Sequence, residues 1–275
     1  MPYEGSVPAV FILVVGETAR AANFSLNGYP RDTNPLLSKE NVIAFQDVYS
    51  CGTATATSVP GMFSNMTREH FHADNARYTE NLMDLLQQTG FNVLWLENDD
   101  GCKEVCNRVP TRKVYKSNDP RYCDGQSCFD EILLDNLEEY IANVKKDTFI
   151  VLHTIGSHGP TYYKRYPETF RKFRPTCDTS DLQNCTREEI INTYDNTILY
   201  TDYVVSSAIG ILKKFPHLES GLLYISDHGE SLGENNIYLH GLPYSIAPEE
   251  QKKVPMVLWM SDTMQKLDHL NYGCI

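Results

Sequence analysis

The sequence predicts an α/β fold built on a mostly parallel central sheet with helices on both faces. Four short runs are apolar, apart from Asn92 at the start of one of them, as expected of strands buried on both faces, and they cover residues 10–15, 92–96, 149–152 and 222–225. Helical patterns separate these runs along the chain. Strands that alternate with helices form parallel sheets, because each helix returns the chain to the same end of the sheet.

The helices are predicted from their caps and from the spacing of their apolar residues. Asn34-Pro35 opens a short helix with proline at its first position. Thr186 and Glu189 form a capping box that opens the longest helix, which runs to about residue 214. The remaining predictions are helices over residues 75–88 and 129–145, a loop-rich region over 102–128 and a last strand over 254–259.

Ionisable side chains follow each of the four buried strands. In parallel α/β sheets, ligands bind beyond the carboxyl ends of the strands, and those ends meet at one edge. We therefore expect the strand-end residues to converge on one site. They are Glu17, the run 97–100, His153 with His158, and Asp227 with His228.

Three of these residues are suitable zinc ligands. Glu17, Asp227 and His228 offer the oxygen and nitrogen donors that zinc takes in tetrahedral sites, although Asp227-His228 also fits a hydrogen-bonded turn. A hydroxyl as fourth ligand would become an activated nucleophile. Candidate hydroxyls lie in one run before Val59-Pro60, and a helix starting there would offer its amides to phosphate. They belong to Thr53, Thr55 and Thr57, among which the residues alone do not choose.

His158 and His240 each stand beside a glycine in a loop near a strand end. That position favours a role at substrate or at a second metal over ordinary packing.

The composition limits the partners. A net charge of −12 disfavours broad electrostatic binding to nucleic acid or to an anionic membrane surface. An anionic substrate must therefore be held locally, by a metal or by a few basic side chains.

No apolar run approaches the roughly 20 residues of a membrane span, and the first residues do not resemble a signal peptide. No stretch looks like a linker, so we expect residues 1–275 to form one domain.

The chain has eight cysteines, and six of them form close pairs in sequence. Short loops of this kind indicate disulfides and an oxidising compartment. Four of the six, Cys102, Cys106, Cys123 and Cys128, also fit a four-thiolate zinc site. The third pair is Cys177 with Cys185, and Cys51 and Cys274 have no partner nearby in the sequence.

Several longer motifs resemble those of a known enzyme family. Residues 14–20, 27–33, 51–55 with 58–60, 158–160 before 165–166, and 226–234 with 240–241 carry the resemblance. Together they are similar to the lipid A phosphoethanolamine transferases, which include the mobile colistin-resistance enzymes. The similarity covers nearly the whole chain.

The resemblance implies a fold, a cofactor and a set of site residues. The fold is the alkaline-phosphatase and sulfatase type, and the cofactor is one or more zinc ions. Thr55 becomes the residue that carries phosphoethanolamine, and disulfides are implied within the three close cysteine pairs. The implied zinc ligands are Glu17, Thr55, Asp227 and His228; His158 and His240 match positions that contact substrate or further zinc, and Lys103 matches a residue that holds the phosphoethanolamine group.

The resemblance also implies a setting. The chain matches the periplasmic catalytic domain of a bacterial inner-membrane protein, expected to be monomeric, without the family's N-terminal membrane domain. The family's domain continues past the point where this chain ends, so a last element is expected to be missing. Some members pair the cysteine at position 51 with one at the position of Gly61, which leaves the partner of Cys51 open.

The expected function is transfer of phosphoethanolamine from phosphatidylethanolamine to a lipid A phosphate. The added amine offsets negative charge on lipid A and so weakens the binding of polymyxins such as colistin. A phosphoglycerol transferase or phosphodiesterase on the same fold is the enzymatic alternative. A metal-stabilised domain that binds lipid headgroups without turnover is the other. Sulfatase activity is disfavoured, because Cys51-Gly52-Thr53 lacks the Cys-x-Pro-x-Arg motif that this activity needs.

Overall fold

The structure is a computed structural model that describes residues 7–267 of the chain. The apolar runs of the sequence form the long strands of the main sheet, and shorter strands lie at its edges and in a separate ribbon. The strands are β1 Ala9–Gly16, β2 Val42–Phe45, β3 Asn92–Glu97, β4 Thr111–Lys113, β5 Thr148–His153, β6 Glu219–Ser226, β7 Ser231–Leu232, β8 Tyr238–Leu239 and β9 Met256–Met260.

The main sheet has the order β2-β9-β6-β1-β5-β3-β4, and β7 pairs with β8 in a separate ribbon. Strands β6, β1, β5, β3 and β4 are parallel, which confirms the predicted mostly parallel sheet. The last strand runs antiparallel to β6, and β2 runs antiparallel to it in turn. Neither β2 nor β4 was predicted, because both are short and only partly buried.

Helices cover both faces of this sheet, as predicted. Alternate residues of β1 point to opposite faces. On one face Ile12 packs in a core with Ile198, and on the other Leu13 packs with Val59. The helices are α1 Thr55–Met62, α2 Leu82–Gln88, α3 Leu137–Ala142, α4 Arg187–Lys213, α5 Glu249–Lys252 and α6 Asp262–Leu267.

The longest predicted helix is confirmed as α4. The Thr186 hydroxyl accepts the backbone N–H of Glu189, and the Glu189 carboxylate accepts that of Thr186, so the predicted capping box is present. Two aspartates, Asp195 and Asp202, lie on the buried side of α4. Across residues 7–267, no helix is at once long enough and apolar enough to cross a membrane.

Two predicted helices are interrupted. The helix over residues 75–88 is a 3-10 helix, Ala73–Tyr78, followed by α2, because the Asn81 side chain accepts the N–H of Met83 and starts a new helix there. The helix over residues 129–145 is a 3-10 helix, Asp130–Leu134, followed by α3. Asn136 separates them with a φ of 62°, a left-handed conformation that asparagine tolerates better than most residues.

The helix predicted at Asn34-Pro35 is reduced to one 3-10 turn, Leu37–Lys39. The buried carboxylate of Asp202 explains its place. It accepts the backbone N–H groups of Leu36 and Leu37, at 2.9 and 3.0 Å. Contact with α4 therefore positions this turn in place of a proline-initiated helix.

Three disulfides confirm the close cysteine pairs: Cys102–Cys106, Cys123–Cys128 and Cys177–Cys185. The four-thiolate zinc alternative is wrong, because its sulfurs are bonded to each other. Among the described residues Cys51 forms no disulfide, and Cys274 lies outside them. A Cβ at Gly61 would lie 2.1 Å from the Cys51 sulfur, so this position is closely packed against Cys51 without bonding to it.

Candidate metal centre and nucleophile

The carboxyl ends of β1 and β6 bring together the predicted metal ligands. These strands are neighbours, with Gly16 opposite Ser226, so the residues that follow them share one edge. Glu17, Asp227 and His228 are all fully buried, and one donor atom from each lies within 4.8 Å of the others. With the hydroxyl of Thr55 they form what we call the first donor cluster.

The local backbone requires a glycine near Glu17. Gly156, in the loop after β5, has a φ of 49°, and a Cβ there would lie 2.5 Å from the Glu17 carbonyl oxygen. Any larger residue would displace the end of β1. The loop that leads to His158 therefore packs directly on the Glu17 backbone.

The two carboxylate oxygens of Asp227 have different environments. Its Oδ1 accepts the backbone N–H groups of Thr18 and His228, at 3.1 and 2.7 Å. Its Oδ2 is buried without a hydrogen-bond partner and lies 3.4 Å from His228 Nε2. A buried carboxylate oxygen without a partner is costly, so this atom is placed for a cation.

The tautomer of His228 is set by its backbone contact. His228 Nδ1 lies 2.9 Å from the carbonyl oxygen of Gly229, which can only accept a hydrogen bond. In the neutral ring Nδ1 therefore carries the proton, and Nε2 carries the lone pair. Nε2 faces Glu17 Oε1 at 3.5 Å and Asp227 Oδ2 at 3.4 Å.

Thr55 is the hydroxyl that joins this cluster. Its Oγ1 lies 3.0 Å from Glu17 Oε2 and 3.4 Å from His228 Nε2. The other hydroxyls are occupied or face away: Thr53 donates to the carbonyl of Leu242, and Thr57 is exposed. Thr55 begins α1, as the phosphate-binding prediction required, so first-turn amides lie beside its hydroxyl.

Burial and mutual repulsion perturb these groups. Burial, reinforced by the Asp227 carboxylate, raises the pKa of Glu17. Burial alone would lower the pKa of His228, but the charges of Asp227 and Glu17 outweigh it and raise that pKa. A buried carboxyl group beside another carboxylate, as Glu17 is, keeps its proton more readily unless a cation takes its place. The donor set of two carboxylates, one imidazole and one hydroxyl fits zinc, and the partnerless Asp227 oxygen supports the fit.

His158 and His240 lie beside the first donor cluster. The ring centroids of His240 and His228 are 4.3 Å apart, and those of His158 and His240 are 5.8 Å apart. Burial lowers the pKa of His158, which favours its neutral form. The loop of His158 is held by Arg165, whose Nε donates to the His158 carbonyl at 2.8 Å.

Glu230 is a site residue that the sequence reasoning missed. It is fully buried, and its Oε2 lies 2.7 Å from His240 Nδ1 while its Oε1 accepts the hydroxyl of Tyr162. This carboxylate leaves Nε2 of His240 as the free lone pair. The sequence did point to Glu230, because this residue falls within the matched motif 226–234. No known sequence spacing, however, links a carboxylate to a histidine ten positions away that it orients.

Lys103 lies in the loop after β3, between the two cysteines of the first disulfide. Its ammonium donates to the carbonyl oxygen of Asp100 at 2.9 Å and pairs with its carboxylate at 3.3 Å. The Asp100 side chain is 97% exposed, so this ion pair is weakly held.

Comparisons with known proteins identify the family of this chain. The Sulfatase family model matches residues 9–274. Phosphoethanolamine transferase EptA of Escherichia coli (strain K12) is 58% identical over 265 residues, which cover 96% of this chain and 48% of that protein. The chain therefore spans about half the length of the curated relatives that it matches.

Solved structures give the same result. The soluble domain of lipooligosaccharide phosphoethanolamine transferase A from Neisseria meningitidis has a TM-score of 0.96 and 49% identity, covering 99% of this chain and 82% of that one. The integral membrane form of that enzyme has a TM-score of 0.97 and 48% identity, covering 100% of this chain and 52% of that one. This chain belongs to the sulfatase family and, within it, to the phosphoethanolamine transferases.

Proposed function

We propose that this chain is a single catalytic domain that transfers phosphoethanolamine from phosphatidylethanolamine to a lipid A phosphate through a covalent intermediate on Thr55. The observation that carries the proposal is the place of the Thr55 hydroxyl, 3.0 Å from Glu17 and 3.4 Å from His228 at the start of α1. The relatives are named as phosphoethanolamine transferases, which supports phosphoethanolamine as the transferred group. Both substrates and the periplasmic setting belong to the proposal.

Glu17, Thr55, Asp227 and His228 would hold zinc. When bound there, zinc would make the Thr55 hydroxyl more acidic. The amides of the first turn of α1 would donate hydrogen bonds to the phosphate oxygens, and His158 and His240 would contact substrate or hold a further cation. Glu230 would keep the His240 ring in one orientation, and Lys103 would bind a further oxygen.

In the first half-reaction the Thr55 oxygen attacks phosphorus, the bond from phosphorus to the diacylglycerol oxygen breaks, and that oxygen gains a proton as Thr55 loses one. In the second, an oxygen of a lipid A phosphate attacks the same phosphorus. Thr55 then leaves as its hydroxyl and regains a proton. The product carries an added amine, and its reduced negative charge would weaken the binding of polymyxins.

The test combines metal analysis with turnover of a fluorescent phosphatidylethanolamine. We expect zinc in the purified protein, release of fluorescent diacylglycerol, and loss of that release after chelation. Full activity of metal-free protein would contradict the mechanism. Free phosphoethanolamine accumulating without lipid A would indicate a phosphodiesterase, and binding without release would indicate a headgroup-binding domain.

A further inference from the structure

A second group of donor atoms lies at the same edge of the sheet and shares Glu17 with the first. It consists of the carboxylates of Glu17 and Asp99 and the imidazole of His153, with one donor atom of each within 4.8 Å of the others. The three residues end or follow the adjacent strands β1, β3 and β5. We call them the second donor cluster.

The ring orientation of His153 is fixed by the carboxylate of Glu97. Its Nδ1 lies 3.0 Å from Glu97 Oε2, and Glu97 lies directly opposite His153 in the β3–β5 pairing. Glu97 also accepts the indole N–H of Trp95 and the backbone N–H of Asp99, both at 2.8 Å. A carboxylate held by these donors takes the Nδ1 proton of His153 as a third hydrogen bond. Nε2 is therefore the free lone pair.

That free nitrogen has no hydrogen-bond partner, although His153 is fully buried. Asp99 Oδ2 lies 3.9 Å away, which is beyond hydrogen-bond range but fits two ligands of one ion. A histidine that ligates a metal commonly donates its other ring N–H to a carboxylate. Glu97, His153 and a bound cation would reproduce this arrangement.

The buried negative charge is an independent reason to expect a cation at the second donor cluster. Glu17 and Glu97 are fully buried, and the side chain of Asp99 is only 6% exposed. Three buried carboxylates require compensating positive charge. An ion in the first donor cluster balances Glu17 with Asp227. Glu97 and Asp99 then need either a second cation or a proton on His153, which lies between them.

We propose that Glu17, Asp99 and His153 bind a second divalent cation, separate from the ion of the first donor cluster and from any ion at His158 and His240. Oxygen and nitrogen donors of this kind suit zinc or manganese. The two clusters would share the Glu17 carboxylate, so the second cation would also fix the orientation of a ligand to the first. This site does not depend on which lipid the protein uses.

The test is cadmium NMR on the whole chain, with ¹¹³Cd²⁺ as the probe. We expect one ¹¹³Cd resonance of the saturated wild type to be absent from Asp99→Asn, with one equivalent less metal bound, while the resonance lost in Asp227→Asn remains. Asp100→Asn is the matched control, because that neighbouring side chain is exposed, and it should keep every resonance. Glu97→Gln should weaken the same site about 10- to 100-fold. Identical resonances and metal content in wild type and Asp99→Asn would overturn the proposal.

A second measurement does not need the variants to fold. In wild-type protein with ¹⁵N-labelled histidine and saturating ¹¹³Cd²⁺, His153 should show one ring N–H, at Nδ1, and a coupling between Nε2 and cadmium. Two ring N–H signals from His153 would mean that a proton, and not a cation, compensates the carboxylates. That outcome would refute the site while leaving the proposed transfer reaction intact.

Discussion

The two donor clusters share Glu17 but differ in what they leave accessible. In the first donor cluster, Thr55 is only half-buried and lies at the start of a helix. In the second, the imidazole of His153 is fully buried and braced by Glu97. A nucleophile must reach substrate, whereas a ligand that only holds charge is better shielded from water. In the proposed mechanism the first cluster reacts with substrate, and the second holds Glu17 in place.

The largest effect should come from the hydroxyl that distinguishes the two clusters. Thr55→Ala should reduce transfer by more than about a thousandfold, the scale on which loss of a nucleophile acts. Thr55→Ser should retain part of the activity, because serine keeps the oxygen but loses the methyl group that restricts its rotation. Transfer assays on the two purified variants would check this. Thr53→Ala and Thr57→Ala are the matched controls, and an equal loss in either would break the comparison.

Loss of a ligand from the first cluster should come next. Chelation should lower the melting temperature of the wild type, since a metal bound only to the folded state adds about 2.7 kcal/mol when its free concentration is a hundred times Kd. Asp227→Asn should remove the part of this shift that the first cluster contributes. Asp74→Asn, at an exposed carboxylate, should leave the shift unchanged. A shift of wild-type size in Asp227→Asn would place the metal elsewhere.

Substrate-binding residues should have intermediate effects. His158→Ala, His240→Ala and Lys103→Ala should each lower turnover by roughly 100-fold, comparable to loss of one group that stabilises the transition state. Their zinc content at the first cluster should stay that of the wild type, which metal analysis would check. Wild-type turnover in all three would show that the substrate pocket lies elsewhere.

Glu230 should have a smaller, indirect effect. Glu230→Ala removes the partner of His240 Nδ1 and should lower turnover about 10-fold, near the lower limit for residues that orient a site histidine. Glu230→Gln keeps a hydrogen-bonding oxygen and should restore part of the loss. Equal defects in both variants would mean that Glu230 acts through its charge and not by orienting the ring.

The smallest effect should come from the disulfide around Lys103. Replacing Cys102 and Cys106 by alanine should cost about 2 kcal/mol of unfolding free energy, as expected for a short loop, and should raise KM for the donor lipid because the loop carries Lys103. Replacing Cys177 and Cys185 should cost a similar amount of stability without changing KM. Denaturation curves and steady-state kinetics would separate the two pairs, and an equal rise in KM for both would contradict a role of this loop.

Buried strands and their ends were predictable because burial on both faces leaves a continuous apolar run, and parallel topology then gathers Glu17, Asp227 and His228. The interruptions of the two helices were not predictable, because the apolar spacing continues through them. One break comes from the Asn81 side chain, which accepts a backbone N–H, and the other from the left-handed conformation of Asn136. The choice of Thr55 among neighbouring hydroxyls needed the resemblance, and the structure adds its distances. The pairing of Glu97 with His153 joins two strands, so no pattern within one segment indicates it.

The measurement that tests the central claim most directly is peptide mass spectrometry of the protein after incubation with phosphatidylethanolamine and no acceptor. The proposed mechanism predicts that phosphoethanolamine remains attached to Thr55 and that added lipid A removes it. A label on Thr53, Thr57 or Ser58, or a label that persists in Thr55→Ala, would contradict the assignment of Thr55 as the nucleophile.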